Sequence, residues 1–256
     1  MEFVYHKINL IISRLFYFFV AEKKVSSDKE EKNIKKNRFY ISNNESRMNN
    51  DIELVNVLKL ICNHTKNYKN TNLFQKYVLK GNYTFFQHSL SNQKHCDELP
   101  SELILKLSQC LENSDIITLA ESFMQCKFSV VNVRSWIFYP EKTKNDGPVN
   151  KHFDGLRKGT LKIMFYEGSF DQQPALTIYE NDKEYDVLGE NPLVLFEPNT
   201  LLHGALAPKI NSRPTVELTL SPRFSNKCII QQAGFQAGLP TNPLKEYTKN
   251  CGMLHS

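Results

Sequence analysis

Two histidines and an aspartate stand in an order that lets them share one metal ion. His152-Phe153-Asp154 is an H-x-D triplet, and His203 follows in Leu202-His203-Gly204. On a strand, residues two apart project from the same face, so His152 and Asp154 could address a single ion. Two neutral imidazoles and one carboxylate form a three-ligand face that suits non-haem Fe(II) and leaves up to three octahedral positions open. Arg213 stands ten residues beyond His203 and completes the pattern. Taken singly, each of these has a bland explanation: H-x-D arises by chance, a lone histidine is structural, and a strand arginine is solvated or salt-bridged. Their order, with strands between, favours the metal.

The surrounding sequence predicts what must position them. From Lys127 onward it breaks into short β-rich runs at 128–139, 149–154, 160–167, 175–180, 184–188, 193–197, 201–205 and 214–220. Asn181-Asp182 between two of these runs suits a tight hairpin. The segment 140–148, with Asn145-Asp146-Gly147-Pro148, is turn material. Seven or eight strands joined by short turns predict a closed sandwich or jelly roll. Ahead of them, Ile52, Leu54, Val55, Leu58, Leu60 and Ile61 recur at helical spacing. Further helices are expected at 72–79, from Leu99-Pro100-Ser101-Glu102 to about Leu111, and from a Ser114/Asp115 cap through Met124. The fold class expected is α+β: a double-stranded β-helix, or jelly-roll, core with N-terminal helices packed on one face. The chain divides into an apolar leader and disordered linker at 1–50, a helical support region at 51–126, a core at 127–222 and an extension at 223–256. Within the first part, Glu22 to Asn50 reads as a disordered linker, and Met48 could be the start of the working protein.

Charge narrows the partners. The formal net charge is +5, but residues 1–50 hold ten Lys/Arg and six Asp/Glu, leaving 22 basic and 21 acidic residues for 51–256. The core is therefore near neutral, and bulk charge gives a nucleic-acid partner no support. None of the six cysteines forms a C-x-x-C pair, which favours buried reduced thiols and a cytoplasmic setting. An apolar run spans 8–20 but is interrupted by Ser13 and Arg14, too short and polar for a confident membrane span. Anchoring through that run is the alternative location.

The region 128–221 resembles the 2-oxoglutarate/Fe(II)-dependent dioxygenases, within them the prolyl-hydroxylase-like branch. The resemblance rests on Tyr139-Pro140, a Gly-containing loop, His152-Phe153-Asp154, the run Gly159 to Tyr166, Asn191-Pro192-Leu193-Val194-Leu195-Phe196, Leu202-His203-Gly204 and Arg213. It implies His152, Asp154 and His203 as iron ligands and catalytic residues. It implies Arg213, with Thr215 two residues on, as the grip on the far carboxylate of 2-oxoglutarate, for which a guanidinium fork is well shaped. Tyr139 matches a position whose phenol touches the co-substrate, with an ordinary core tyrosine as the alternative. Lys162 could point inward with Thr160 and Met164, although a sheet-edge lysine is the plainer reading. The implied cofactors are Fe(II), 2-oxoglutarate as co-substrate and ascorbate as an accessory. The implied reaction consumes O2 and hydroxylates a C–H bond of a protein side chain or small molecule, with succinate and CO2 as co-products. Asp154 fills the place where a smaller residue would leave room for halide, which favours hydroxylation. Gln173-Pro174-Ala175-Leu176 replaces the Gly-Gly-Glu common in the family, so the primary substrate stays open. A non-catalytic jelly-roll binding module with a vestigial site is the rival expectation.

Overall fold

Alternating apolar residues in the C-terminal half build two antiparallel sheets, and helices from the N-terminal half cover one of them. The computed structural model describes residues 28–67, 93–96, 99–140, 151–154, 156, 159–206, 208–209, 211–223 and 230, with Ile11, Ile12, Arg14 and Tyr17. In chain order the described elements are helix α1 (Asp28–Asn37), strand β1 (Phe39–Ser42), α2 (Asp51–Asn67), β2 (Gln93–His95), α3 (Ser101–Asn113) and α4 (Asp115–Met124). Strands β3 (Lys127–Phe138), β4 (Leu161–Tyr166), β5 (Thr177–Glu180), β6 (Lys183–Asp186), β7 (Leu193–Phe196), β8 (Leu202–Gly204) and β9 (Arg213–Arg223) follow. The large sheet runs β1-β7-β4-β9-β3-β2 and the small one β6-β5-β8.

The period-two alternation of β4 sorts its side chains between two cores. Leu161, Ile163 and Phe165 join Leu193, Leu195, Val216 and Leu218 against Leu54, Leu58 and Ile61 of α2 and Leu107 and Leu111 of α3. Met164 and Tyr166 fall in the other core, with Val194 and Phe196 of the large sheet and Ile178 of the small one. Each fully buried side chain of this size contributes roughly 1.5–3 kcal/mol. Lys162 shares the parity of Met164 and Tyr166, so it is aimed at the second core. One irregularity matters. The pairing of β3 with β9 slips between Val130 and Asn132, a bulge that changes which side chains face which way. Before it, Phe128 and Val130 pack toward the helices; after it, Val133 does. The bulge thereby turns Arg134, Trp136 and Phe138 to the opposite face.

Several elements fall where the periodicity puts them. Ser114 caps α4 by accepting from the Ile117 amide (3.2 Å). Asn181 and Asp182 both have positive φ, 49° and 61°, which is the tight hairpin geometry that joins β5 to β6. Two expectations are corrected. Residues 28–50 are not a disordered linker: Ile34 is fully buried, and Phe39 to Ser42 add a strand to the edge of β7. Their Lys- and Asn-rich composition conceals this because only one face is apolar. The strand expected at 149–154 reduces, among the described residues, to one bridge at His152. The helix expected at 72–79, residues 141–148 and the extension beyond Arg223 other than Ile230 lie outside the described residues. No described helix is long and apolar enough to cross a membrane; most of the apolar run at 8–20 also lies outside them. Cys62, Cys96, Cys110 and Cys126 are buried.

Candidate metal centre

Backbone pairing brings the two histidines together. The His152 amide donates to the His203 carbonyl (2.8 Å), and the His203 amide returns the bond to His152 (3.0 Å). This bridge continues the small sheet beyond β8, whose other edge pairs with β5. The Asp154 amide is fixed to the Pro198 carbonyl (2.9 Å), which returns its side chain to the same place. The result is a cluster in which one ligand atom from each of His152, Asp154 and His203 lies within 4.8 Å of the others. These three side chains could hold one metal ion.

The state of each group fits that use. His203 Nδ1 sits 2.9 Å from the Leu201 carbonyl oxygen, an arrangement that places the proton on Nδ1 and leaves Nε2 as a lone-pair donor. Burial pushes its pKa down to about 4, against the pull of Asp154, so the ring is neutral at ordinary pH. Phe196 packs edge-on against it, with ring centroids 4.9 Å apart. Burial alone would raise the Asp154 carboxyl, but Lys162, His152 and His203 outweigh it and hold the group ionised well below the usual carboxylate range. Asp154 Oδ1 lies 3.4 Å from His152 Nε2 and 3.8 Å from His203 Nε2.

Behind the cluster, Glu197 joins its supports. Its carboxylate accepts from the Gly159 amide (3.0 Å), from Thr200 (3.2 Å) and from Arg38. One buried acid thus ties the segment after Asp154, the turn leading to His203 and the N-terminal segment that carries β1.

Arg213 enters the same interior from β9. The residue is 3 % exposed. Nη1 donates to the Leu206 carbonyl (2.7 Å) and Nη2 to that of Ala205 (3.2 Å). The rings of Phe138 and Tyr166 flank it, with centroids at 5.3 and 6.0 Å. No carboxylate pairs with it among the described residues, and burial lowers its pKa to about 10. Thr215 is buried two residues on, its hydroxyl donating to the Arg213 carbonyl (3.3 Å). A cavity of about 370 Å³ between 167–174 and 208–213 has Arg213 in its wall, with Gln173 and Pro174; none of His152, Asp154 and His203 lines it.

Two readings of individual residues change. Tyr139 is 43 % exposed just past the end of β3, so it is not a core tyrosine. The buried phenol beside Arg213 is that of Tyr166, whose pKa burial raises and Arg213 partly restores. Lys162 is not at a sheet edge. β4 lies between β7 and β9, and Lys162 Nζ reaches Asp154 Oδ2 (2.6 Å) and Glu217 Oε2 (2.8 Å). Glu217 also accepts from Arg134 Nε (2.9 Å) and the Thr219 hydroxyl (3.2 Å). Burial would raise its carboxyl, but Arg134 and Lys162 bring it below the ordinary value. Alternation from Met164 reaches both Lys162 and Tyr166; nothing in the sequence alone joined Arg134 to Glu217.

No protein-family model matches the sequence, and no curated protein matches it. Solved structures do share its fold. The non-haem α-ketoglutarate-dependent epimerase SnoN of nogalamycin biosynthesis superposes with a TM-score of 0.50 at 11% identity, over 75% of this chain and 79% of its own. HygX from Streptomyces hygroscopicus, solved with nickel and 2-oxoglutarate bound, gives 0.51 at 7% identity, over 78% and 89%. A prolyl-4-hydroxylase from Pseudomonas putida superposes more loosely, at 0.47 and 14% identity over 76% and 98%. At such identities the likeness defines a fold. This chain has the fold of non-haem, 2-oxoglutarate-dependent enzymes.

Proposed function

We propose that the protein is an Fe(II)/2-oxoglutarate-dependent dioxygenase that hydroxylates a C–H bond of a protein side chain or small molecule. The two facing sheets would be the halves of its jelly roll. The observation that carries the reading is the pairing of two incomplete sites on one interior: three metal-type ligands and a buried guanidinium lacking a carboxylate among the described residues. A buried cation is costly unless paired, and an anionic ligand with a carboxylate at each end would satisfy both sites. His152, Asp154 and His203 would hold Fe(II). Arg213 would grip the distal carboxylate through its fork, with the Tyr166 phenol and Thr215 hydroxyl as neutral partners, in place of the Tyr139 expected from the sequence.

Bound there with 2-oxoglutarate, Fe(II) supplies oxygen activation coupled to decarboxylation to succinate and CO2. The chain's own residues do the rest. Leu201 orients His203, Pro198 orients Asp154, and Phe196 shields one side of the imidazole from water. The cavity beside Arg213 is lined partly by Gln173 and Pro174, within the segment that departs from the family pattern. An anaerobic titration with Fe(II) and then 2-oxoglutarate tests the proposal. A visible charge-transfer band is expected in the wild type and not in His203→Ala. Folded protein that binds neither would be a jelly-roll binder instead.

A further inference from the structure

The two oxygens of Asp154 face different partners. Oδ1 points toward the histidine nitrogens, at 3.4 and 3.8 Å, and Oδ2 toward Lys162 Nζ at 2.6 Å. Lys162 is itself held in place. Its ammonium is shared with Glu217 Oε2 at 2.8 Å, and Glu217 is pinned through Oε1 by Arg134. The side chains are nearly closed off from water, at 10% exposure for Lys162, 3% for Glu217 and 17% for Arg134. In such surroundings a lysine has little freedom to swing away, and its charge is weakly screened. The chain of contacts begins on β3, crosses β9 and β4, and ends on the segment bearing Asp154. It therefore links the large sheet to the metal-facing cluster.

We propose that Lys162 is a positioning residue that makes Asp154 a one-oxygen ligand, with Glu217 and Arg134 fixing the lysine for that task. A carboxylate can take a metal through one oxygen or both. With Oδ2 engaged by an ammonium, only Oδ1 is offered. The three protein ligand atoms then leave three positions of an octahedral ion open, one more than a two-oxygen aspartate would leave. The number of open positions decides whether a two-point co-substrate and a third small molecule can bind together. This inference rests on the metal reading above.

The test uses the full chain and Mn(II) alone, read by water-proton relaxation. Wild type, Lys162→Met, Lys162→Arg and the double variant Lys162→Met/Glu217→Gln are compared, the last removing the cation and its counter-charge together so that the fold is not left with an imbalance. Relaxation per bound Mn(II) is expected to fall by roughly one third in Lys162→Met and in the double variant, as three exchangeable waters become two. Mn(II) affinity is expected to change by roughly tenfold or more. Lys162→Arg, which keeps a cation facing Oδ2, is expected to restore the wild-type value. Unchanged relaxation in the folded double variant overturns the inference while leaving the metal site intact. Absence of Mn(II) binding in the wild type would remove the metal reading itself, and this inference with it.

Discussion

Replacing Arg213 by methionine sets two opposite effects against each other. The guanidinium is buried with only two carbonyl oxygens as hydrogen-bond partners among the described residues. The gap between an ordinary arginine and one held at about 10 corresponds to a charge penalty of roughly 3 kcal/mol. Methionine escapes that penalty and fills much of the same space, but leaves Leu206 and Ala205 without their donor, at about 1 kcal/mol each. The ligand-free variant should therefore gain about 1 kcal/mol, or roughly 2–4 °C in melting temperature for a chain of this size. Ligand binding moves the other way. Losing a charged fork with two bonds of about 1.5–3 kcal/mol each should weaken 2-oxoglutarate by roughly 10²–10⁴-fold. The assay is thermal melting in the presence of nickel, with and without 2-oxoglutarate, supported by calorimetric titration. The expected result is a variant at least as stable as the wild type and indifferent to the ligand. A variant that melts many degrees lower yet is still stabilised by 2-oxoglutarate would refute the reasoning. It would make Arg213 a tether for 205–206 rather than a ligand grip.

Asp51 is buried at the start of α2, where its Oδ1 accepts from the Ile116 amide (3.2 Å), and burial raises its pKa to about 6. The folded state thus holds the extra proton between about pH 4 and 6, so this residue's contribution is fully favourable below about 4 and is lost as pH rises through 6. Asp51→Asn should flatten that slope and gain up to about 3 kcal/mol at pH 8 in urea denaturation; identical slopes would count against it. A chain beginning at Met48 should fail to fold, since it loses Ile34, Phe39 and Tyr40, each at most 7% exposed. At roughly 1.5–3 kcal/mol apiece these rival the whole stability of an ordinary domain. A soluble, cooperatively melting product of that length would show that the N-terminal segment is dispensable.

The candidate cluster is legible because its chemistry sits in residue types that few other roles require together. His152, Asp154 and His203 announce themselves by spacing, and the strands between them by alternation. What escaped notice depends on parity and on distant pairing. Lys162 reads as a surface residue until β4 is known to lie between β7 and β9. Tyr139 and Tyr166 are both tyrosines near a predicted strand end, and only the packing puts the Tyr166 ring, with Phe138, beside the Arg213 guanidinium. Residues 28–50 hide their structure for a different reason. Composition averages over faces, and an edge strand with a single helix needs only a few buried side chains to be held.

The bulge in β3 carries a consequence for how this interior is encoded. Arg134 meets Glu217 only because the bulge absorbs Val131 between Val130 and Asn132, leaving it out of the pairing count. Drawing Val131 into regular pairing, with no bulge, would alter no charged group, yet it would exchange the two faces of half a strand. Arg134 and Trp136 would turn into the packing beneath the helices, and Val133 and Ser135 toward the charged interior. Part of the site's specification is therefore ordinal: a matter of how many residues precede a side chain as much as of which residue it is. An added residue ahead of Arg134 should be tolerated far less than loss of Val131, which would straighten the strand and keep Arg134 opposite Glu217.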